Sequence, residues 1–79
     1  MKTVLIYTTP TCQYCKMAKD FFIEKGVAYT EFDVSVDETK RAEMVEKSGQ
    51  MGVPVLDIEN DIVIGFDEPK LRELLEITE

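Results

Sequence analysis

The chain has 79 residues, 44% of them hydrophobic, and 16 acidic side chains against nine basic ones give it a net charge of -7. A chain of this length buries only about 60 to 65% of its unfolded surface, which suits one domain over residues 1–79. The acidic excess argues against a phosphate backbone as partner, and no apolar stretch is long enough to span a membrane. We therefore expect a single acidic domain that is monomeric and binds neither nucleic acid nor membrane.

The amino terminus predicts a cytoplasmic protein. Val4-Leu5-Ile6-Tyr7 is a run of only four apolar residues, which is too short for the hydrophobic region of a signal peptide. In a reducing cytoplasm, a lone pair of cysteines is more often catalytic or metal-binding than structural.

The first predicted elements are a strand and a helix. Lys2–Thr8 is typical of a buried strand, because its centre is continuously apolar and rich in β-branched residues. Cys12–Lys25 has apolar residues at spacings of three and four, and Gly26 follows where a helix cap is expected. The second cysteine, Cys15, is in the first turn of this helix, so both cysteines lie at a strand-to-helix junction.

The next two predicted elements are a short strand and a second helix. Val27–Val34 shows an imperfect alternation that favours a strand. Ser35 and Glu38 have the spacing of a capping box, in which each side chain bonds a backbone amide of the other residue. This box predicts a helix that opens there and ends near Gly49.

The remaining pattern is a hairpin followed by a last helix. Val55–Ile58 and Ile62–Ile64 are apolar segments joined by a polar connection of hairpin length. Asp67 is placed to cap a helix that has Pro69 in its first turn and a leucine stripe after it. The order β-α-β-α-β-β-α predicts an α/β domain, whose four-stranded sheet is mixed because a parallel βαβ unit precedes an antiparallel hairpin. Three helices flank it.

The cysteine spacing favours thiol and disulfide exchange. Residues three apart share a helix face, so the sulfurs of Cys12 and Cys15 can form and break a disulfide with little backbone movement. The positive end of the helix should favour a thiolate at Cys12, and Lys16 and Lys19 are expected to add to this effect. Cys15 is expected to be less exposed and to act as the resolving thiol.

The cysteines have two alternative uses. As a structural staple, the four-residue ring would contribute only roughly 2 kcal/mol by the loop-entropy expression. A structural zinc site takes four Cys or His ligands, whereas this chain has two cysteines and no histidine. No resident metal or other bound cofactor is therefore expected, although an iron-sulfur cluster shared between two chains stays open.

Three segments resemble the glutaredoxins, namely YTTPTCQYC at 7–15, GVPV at 52–55 and IGFD at 64–67. On these the chain is identified as a glutaredoxin-like member of the thioredoxin-fold superfamily. The resemblance spans nearly all of the chain and implies a thioredoxin-like fold. It also implies a dithiol oxidoreductase acting on protein disulfides or mixed glutathione disulfides.

The resemblance further implies the substrate-facing residues. Pro54 is expected to be a cis proline beside the cysteines, with the backbone of Val53 offered to an extended substrate segment. Tyr14 is expected to be exposed, with its ring against a partner. Gly65, Asp67 and Glu68 match the segment that holds glutathione; Asp67 is suited both to pair with an ammonium group and to cap its helix.

Departures from the glutaredoxin pattern leave the electron source open. Thr9 replaces a basic residue that holds a glutathione carboxylate, and Gln13, Gly52 and Ile64 also depart from the usual residues. Glutathione is one candidate reductant. The alternative is a flavoprotein reductase of the thioredoxin-reductase type, with the protein as electron donor to a dedicated enzyme. Cluster-carrying dimers of this fold have Cys-Gly-Phe-Ser at the motif, which this chain lacks.

Overall fold

Seven elements make up residues 3–77, the part of the chain that the computed structural model describes. They are β1 (Val4–Thr8), α1 (Gln13–Glu24), β2 (Thr30–Asp33), α2 (Glu38–Ser48), β3 (Val55–Ile58), β4 (Asp61–Ile64) and α3 (Glu68–Leu74). The strands form one sheet in the order β2-β1-β3-β4, with β1 parallel to β2 and both other pairs antiparallel. The predicted element order and mixed sheet are confirmed. The predicted start of β1 at Lys2 lies outside the described residues.

Helices pack on both faces of the sheet. One buried cluster joins α1 and α3 to one face, and it contains Val4, Ile6, Ala18, Phe21, Phe22, Leu56, Ile58, Val63 and Leu71. A second cluster joins α2 to the other face through Tyr7, Val34, Met44 and Val55. Successive residues of β1 enter different clusters because a strand sends alternate side chains to opposite faces. None of the helices within residues 3–77 is long and apolar enough to span a membrane.

The end of α1 explains why β2 is shorter than predicted. Gly26 has a φ of 68°. Its amide donates to the Ile23 carbonyl at 3.2 Å, and the Val27 amide donates to the Phe22 carbonyl at 2.8 Å. These two bonds form a Schellman motif. Because the amide of Val27 closes the helix, β2 begins at Thr30 and not at Val27.

The capping box predicted for α2 is wrong. Asp37 is the N-cap, and its carboxylate accepts a hydrogen bond from the Lys40 amide at 3.0 Å. Ser35 donates its amide and its hydroxyl to Oδ1 of Asp33, at 2.9 and 2.5 Å. Ser35 is thus bonded to Asp33 in the turn after β2 and does not cap the helix, which begins at Glu38.

The hairpin between β3 and β4 is tighter than predicted. Glu59 and Asn60 form its turn at φ values of 48° and 78°, and Ile58 pairs directly with Asp61. Two consecutive positive φ values are typical of a type I′ turn, which matches the twist of the flanking strands. Asp57 supports the turn by accepting a hydrogen bond from the Asn60 amide at 2.7 Å.

Candidate active site

The cysteine motif follows the end of β1, where the start of β3 and the end of β4 also lie. β1 ends at Thr8, and the register of β3 and β4 places Pro54 and Gly65 next to this end. The Gly65 amide donates to the Pro54 carbonyl at 2.8 Å, and the Val53–Pro54 peptide bond is cis as predicted. Residues distant in sequence are thus brought to the loop that leads from β1 into α1.

The two cysteines differ in exposure. Cys12 is the N-cap of α1 and half-buried, whereas Cys15 is 1% exposed, which confirms the predicted difference. The Cys15 amide donates to Sγ of Cys12 at 3.1 Å. The two thiols are not joined. A partner can therefore reach the first sulfur, while the second is shielded behind it.

The buried position of Cys15 controls its protonation. Burial raises the pKa of Cys15 to about 12, and the hydrogen bond with Cys12 acts in the same direction. The backbone amide of Thr9 and the positive charge of Lys19 act against them. In the reduced protein Cys15 is therefore a neutral thiol at neutral pH, and it has to lose a proton before it can attack a disulfide.

Lys16 and Lys19 have different surroundings. Lys16 is exposed on the first turn of α1. Nζ of Lys19 donates to Oε2 of Glu31 at 2.9 Å, and the same oxygen accepts from Oγ1 of Thr8 at 2.7 Å. The bond to Glu31 raises the pKa of Lys19, and the bond from Lys19 lowers the pKa of Glu31. The predicted action of both lysines on Cys12 stays a prediction, since the contacts of Lys19 are with β1 and β2.

Thr8 and Glu31 carry no motif that marks them in the sequence. Thr8 is 1% exposed at the end of β1. Glu31 lies on β2, where it pairs with Ile6 of β1. Their closeness depends on the parallel register of β1 and β2. Only that register would have indicated that a carboxylate lies beside the strand leading to the cysteines.

Tyr14 and Val53 are placed where a partner can reach them. Tyr14 directly precedes Cys15 and is 61% exposed. Val53 is half-buried, and its backbone amide and carbonyl form no hydrogen bond with any other residue in the range 3–77. The exposure expected of Tyr14 is confirmed, while the substrate-contacting roles of both residues stay predictions.

The segment before α3 combines a constrained turn with a helix cap. Gly65 has a φ of 80°, a conformation that favours glycine. Asp67 is the N-cap of α3 and accepts a hydrogen bond from the Lys70 amide at 3.3 Å, which confirms its capping role. Glu68 forms an ion pair with Nη2 of Arg72 at 2.8 Å. Glu68 is thus held within its own helix, and Asp67 is exposed. The predicted contacts of Gly65, Asp67 and Glu68 with glutathione stay predictions.

The sequence identifies the family to which this site belongs. The family model for glutaredoxin matches residues 4–63. This range includes both cysteines, the cis proline, the first three strands and all of β4 except its last residue. The chain belongs to the glutaredoxin family. Members of this family are thiol-disulfide oxidoreductases, so the redox chemistry predicted from the cysteine spacing agrees with the family.

Individual relatives are similar over most of their length. The chain is 37% identical over 73 residues to an uncharacterized glutaredoxin-like 8.6 kDa protein in the rubredoxin operon of Clostridium pasteurianum, covering 92% of this chain and 97% of that protein. It is 38% identical over 68 residues to glutaredoxin 3 of Escherichia coli K12, covering 86% and 82%. A crystal structure of a mutant of the thioredoxin-like protein BC3987 matches with a TM-score of 0.91 and 35% identity, covering 99% of this chain and 100% of that one. The thioredoxin-like fold is thereby confirmed.

Proposed function

We propose that this glutaredoxin reduces protein disulfides or mixed glutathione disulfides with the dithiol of Cys12 and Cys15. The asymmetry of the pair carries the proposal. Cys12 is accessible at the start of a helix and receives an amide donor at 3.1 Å, whereas Cys15 is 1% exposed directly behind it. An attacking thiol at a helix N-terminus and a shielded resolving thiol are the two parts that disulfide exchange requires.

The proposed reaction has two exchange steps. The Cys12 thiolate attacks a substrate disulfide, forms a mixed disulfide and releases the first substrate sulfur, which takes up a proton. Cys15 then loses its proton and attacks Sγ of Cys12, so the second substrate sulfur leaves and is protonated. The substrate disulfide gains two electrons, and the protein ends with Cys12 and Cys15 joined.

Substrate is proposed to lie along the open backbone of Val53. The amide and carbonyl of Val53 are free of partners within residues 3–77, so an extended segment can bond to them as an added strand. Tyr14, which lies between the two cysteines, is 61% exposed and offers its ring to the same partner. Together these contacts would hold a substrate sulfur near Cys12.

Serine variants of the two cysteines test the proposal. When the pre-reduced protein is mixed with a peptide that carries an internal disulfide and no other thiol is present, Cys12→Ser should fail to reduce the peptide. Cys15→Ser should accumulate a mixed disulfide that mass spectrometry detects on Cys12. Circular dichroism of both variants controls for folding. Full turnover by Cys12→Ser would show that another group attacks the substrate and would end the proposal.

A dedicated flavoprotein reductase is the second candidate for the electron source. Glutathione has two carboxylates that need cationic partners, but Thr9 replaces the basic residue expected beside the motif. Several basic residues already pair with carboxylates of this chain, namely Lys19, Lys40, Arg41, Lys47 and Arg72. These pairings favour a protein reductant. Reduction of the oxidised protein by thioredoxin reductase and not by glutathione with glutathione reductase would support this candidate, and the reverse result would exclude it.

The cytoplasm is the proposed location. Each turnover leaves the dithiol oxidised, so the cycle needs a compartment that continuously supplies electrons. Fractionation of the source cells with an antibody against the protein would test this location.

A further inference from the structure

Thr8, Glu31 and Lys19 form a cluster that has no part in the two-step reaction above. Cys15 and Thr8 are each 1% exposed. Oε2 of Glu31 accepts from Thr8 Oγ1 at 2.7 Å and from Lys19 Nζ at 2.9 Å. The carboxylate therefore links the ammonium group of Lys19 to the last residue of β1.

The position of Lys19 on α1 brings it to the side of Cys15. Residues four apart on a helix lie on the same face, one turn from each other. The backbone of Thr9, the residue after β1, acts to lower the pKa of Cys15, and so does the charge of Lys19. Glu31 bonds both Thr8 and the head of Lys19, so the lysine is held between α1 and the end of β1, one turn along the helix from Cys15.

The second exchange step creates a charge at this place. Cys15 must become a thiolate in surroundings with little water, where burial opposes ionisation. A cation held nearby lowers that cost, and the effect is larger than in bulk water because screening is weaker. Cys12 from the preceding loop and Lys19 from the next turn both act on the ionisation of Cys15, and Glu31 and Tyr29 act on that of Lys19.

We propose that Lys19 is a positioning residue for the resolving step, held by Glu31 and Thr8 so that its charge stabilises the Cys15 thiolate as it attacks the mixed disulfide. This inference rests on the proposed function. It differs from the effect on Cys12 that the sequence predicts, because it assigns Lys19 to the second step. Lys16 is exposed and, within residues 3–77, has no ion pair like that between Lys19 and Glu31, so it has no part in this role.

Stopped-flow reaction with one equivalent of dithiobis(nitrobenzoic acid) separates the two steps. Attack by Cys12 releases a first coloured thiolate, and attack by Cys15 on the mixed disulfide releases a second. Lys19→Gln should slow only the second phase. Each tenfold loss of thiolate should slow it about three- to fourfold, since nucleophilicity rises partly in compensation. The pH dependence of the second phase should move to higher pH.

Three further variants make the result specific. Lys25→Gln removes the same charge from the far end of α1 and should leave both phases unchanged. Lys19→Arg keeps the charge and should restore most of the second phase. Glu31→Gln removes the ion pair that holds Lys19 but keeps the charge of the lysine, so it should slow the second phase less than Lys19→Gln does.

The outcomes separate the inference from the proposed function. A second phase of equal rate in Lys19→Gln and Lys25→Gln overturns the inference. A larger loss in Glu31→Gln than in Lys19→Gln also overturns it, because the carboxylate would then be the acting group. If the wild-type protein releases no first thiolate, the proposed attack by Cys12 itself fails. Thermal unfolding of each variant shows whether a slow phase reflects loss of structure.

Discussion

Asp67 has two roles that a single substitution would confound. Its side chain caps α3 through the Lys70 amide at 3.3 Å. Its carboxylate is also exposed at the position where the glutaredoxin resemblance implies an ammonium-binding group. Asparagine caps helices about as well as aspartate but carries no charge. The two roles can therefore be separated by the choice of replacement.

Asp67→Ala should lower the free energy of unfolding by about 1 kcal/mol, because it removes the cap. Asp67→Asn should stay within about 0.5 kcal/mol of the parent protein. Urea unfolding measures both. If the carboxylate binds glutathione, Asp67→Asn should still raise KM for a glutathionylated peptide. An unchanged KM in a stable Asp67→Asn variant would restrict this residue to capping.

Local competition between side chains explains one wrong prediction at the residue scale. Ser35 and Glu38 have the spacing of a capping box, but Asp33 and Asp37 offer carboxylates that accept hydrogen bonds more strongly than a serine hydroxyl. Asp33 takes the amide and hydroxyl of Ser35, and Asp37 takes the helix amide. The pattern did not rank these competing acceptors. The cysteines were easier to predict because their spacing and position restrict them to few functions.

At the scale of elements, a polar network joins α2 to β1 and β3. The Tyr7 hydroxyl donates to Glu43 at 2.6 Å. Nζ of Lys47 donates to the Tyr7 hydroxyl at 2.9 Å and to Oδ2 of Asp57 at 2.7 Å. Asp57 is only 4% exposed, so Lys47 neutralises a charge that water hardly reaches.

Lys47→Ala should therefore be costly, with a loss of about 2 to 3 kcal/mol in the free energy of unfolding, because it leaves the buried Asp57 carboxylate without its cation. Lys40→Ala is the matched control. Lys40 lies on the same helix and pairs with Glu43 at 3.3 Å, where both side chains are about one-third exposed, and its loss should cost at most about 1 kcal/mol. Urea unfolding measures both variants. Equal losses would contradict the structural role given to Lys47.

A double variant isolates the buried pair from other effects of Lys47. In Lys47→Ala with Asp57→Ala, no unpaired buried charge remains. We expect the double variant to lose less stability than the sum of the two single losses. Additive losses would mean that the two side chains stabilise the fold independently.

Element order was more predictable than element boundaries, and the boundaries show why. The end of α1 and the hairpin turn depend on backbone hydrogen bonds and positive φ values that periodicity does not report. Val27 is apolar and suits a strand, yet its amide closes α1 at 2.8 Å. Asp61 is polar and suits a loop, yet it pairs with Ile58.

At the scale of the whole molecule, the site depends on the assembled sheet. The end of β1, which leads to Cys12, lies beside Pro54 and Gly65 because β1 and β3 are antiparallel, as are β3 and β4. The motifs could be recognised separately in the sequence, and family resemblance indicated their joint use. The cluster of Thr8, Glu31 and Lys19 required the register between β1 and β2 and the facing turn of α1, which no local pattern contains.

The assembled fold also sets how stability depends on pH. Hydrogen bonds from Lys19 to Glu31 and from Tyr7 to Glu43 lower the pKa of each carboxyl. The folded protein then binds fewer protons than the unfolded chain in mild acid, so this stabilisation is present above the unfolded pKa of about 4.3 and is lost as pH falls.

Burial raises the pKa of Cys15 to about 12 and also raises that of Tyr7. Here the folded protein retains protons that the unfolded chain loses, so stability falls as pH rises above about 8.5.

Reduced protein should consequently be most stable between about pH 5 and 8. Cys15→Ser should flatten the alkaline side of the profile, because serine does not ionise there and one of the retained protons disappears. Urea unfolding at a series of pH values, with a phosphine reductant keeping the thiols free, gives the two slopes. Since the substitution also changes packing, the slopes are compared and not the absolute stabilities.

Cys12→Ser is the control, and it should keep the steep alkaline fall because Cys15 is still buried. Parallel curves for the parent protein and Cys15→Ser above about pH 9 would mean that the buried thiol does not couple folding to proton uptake.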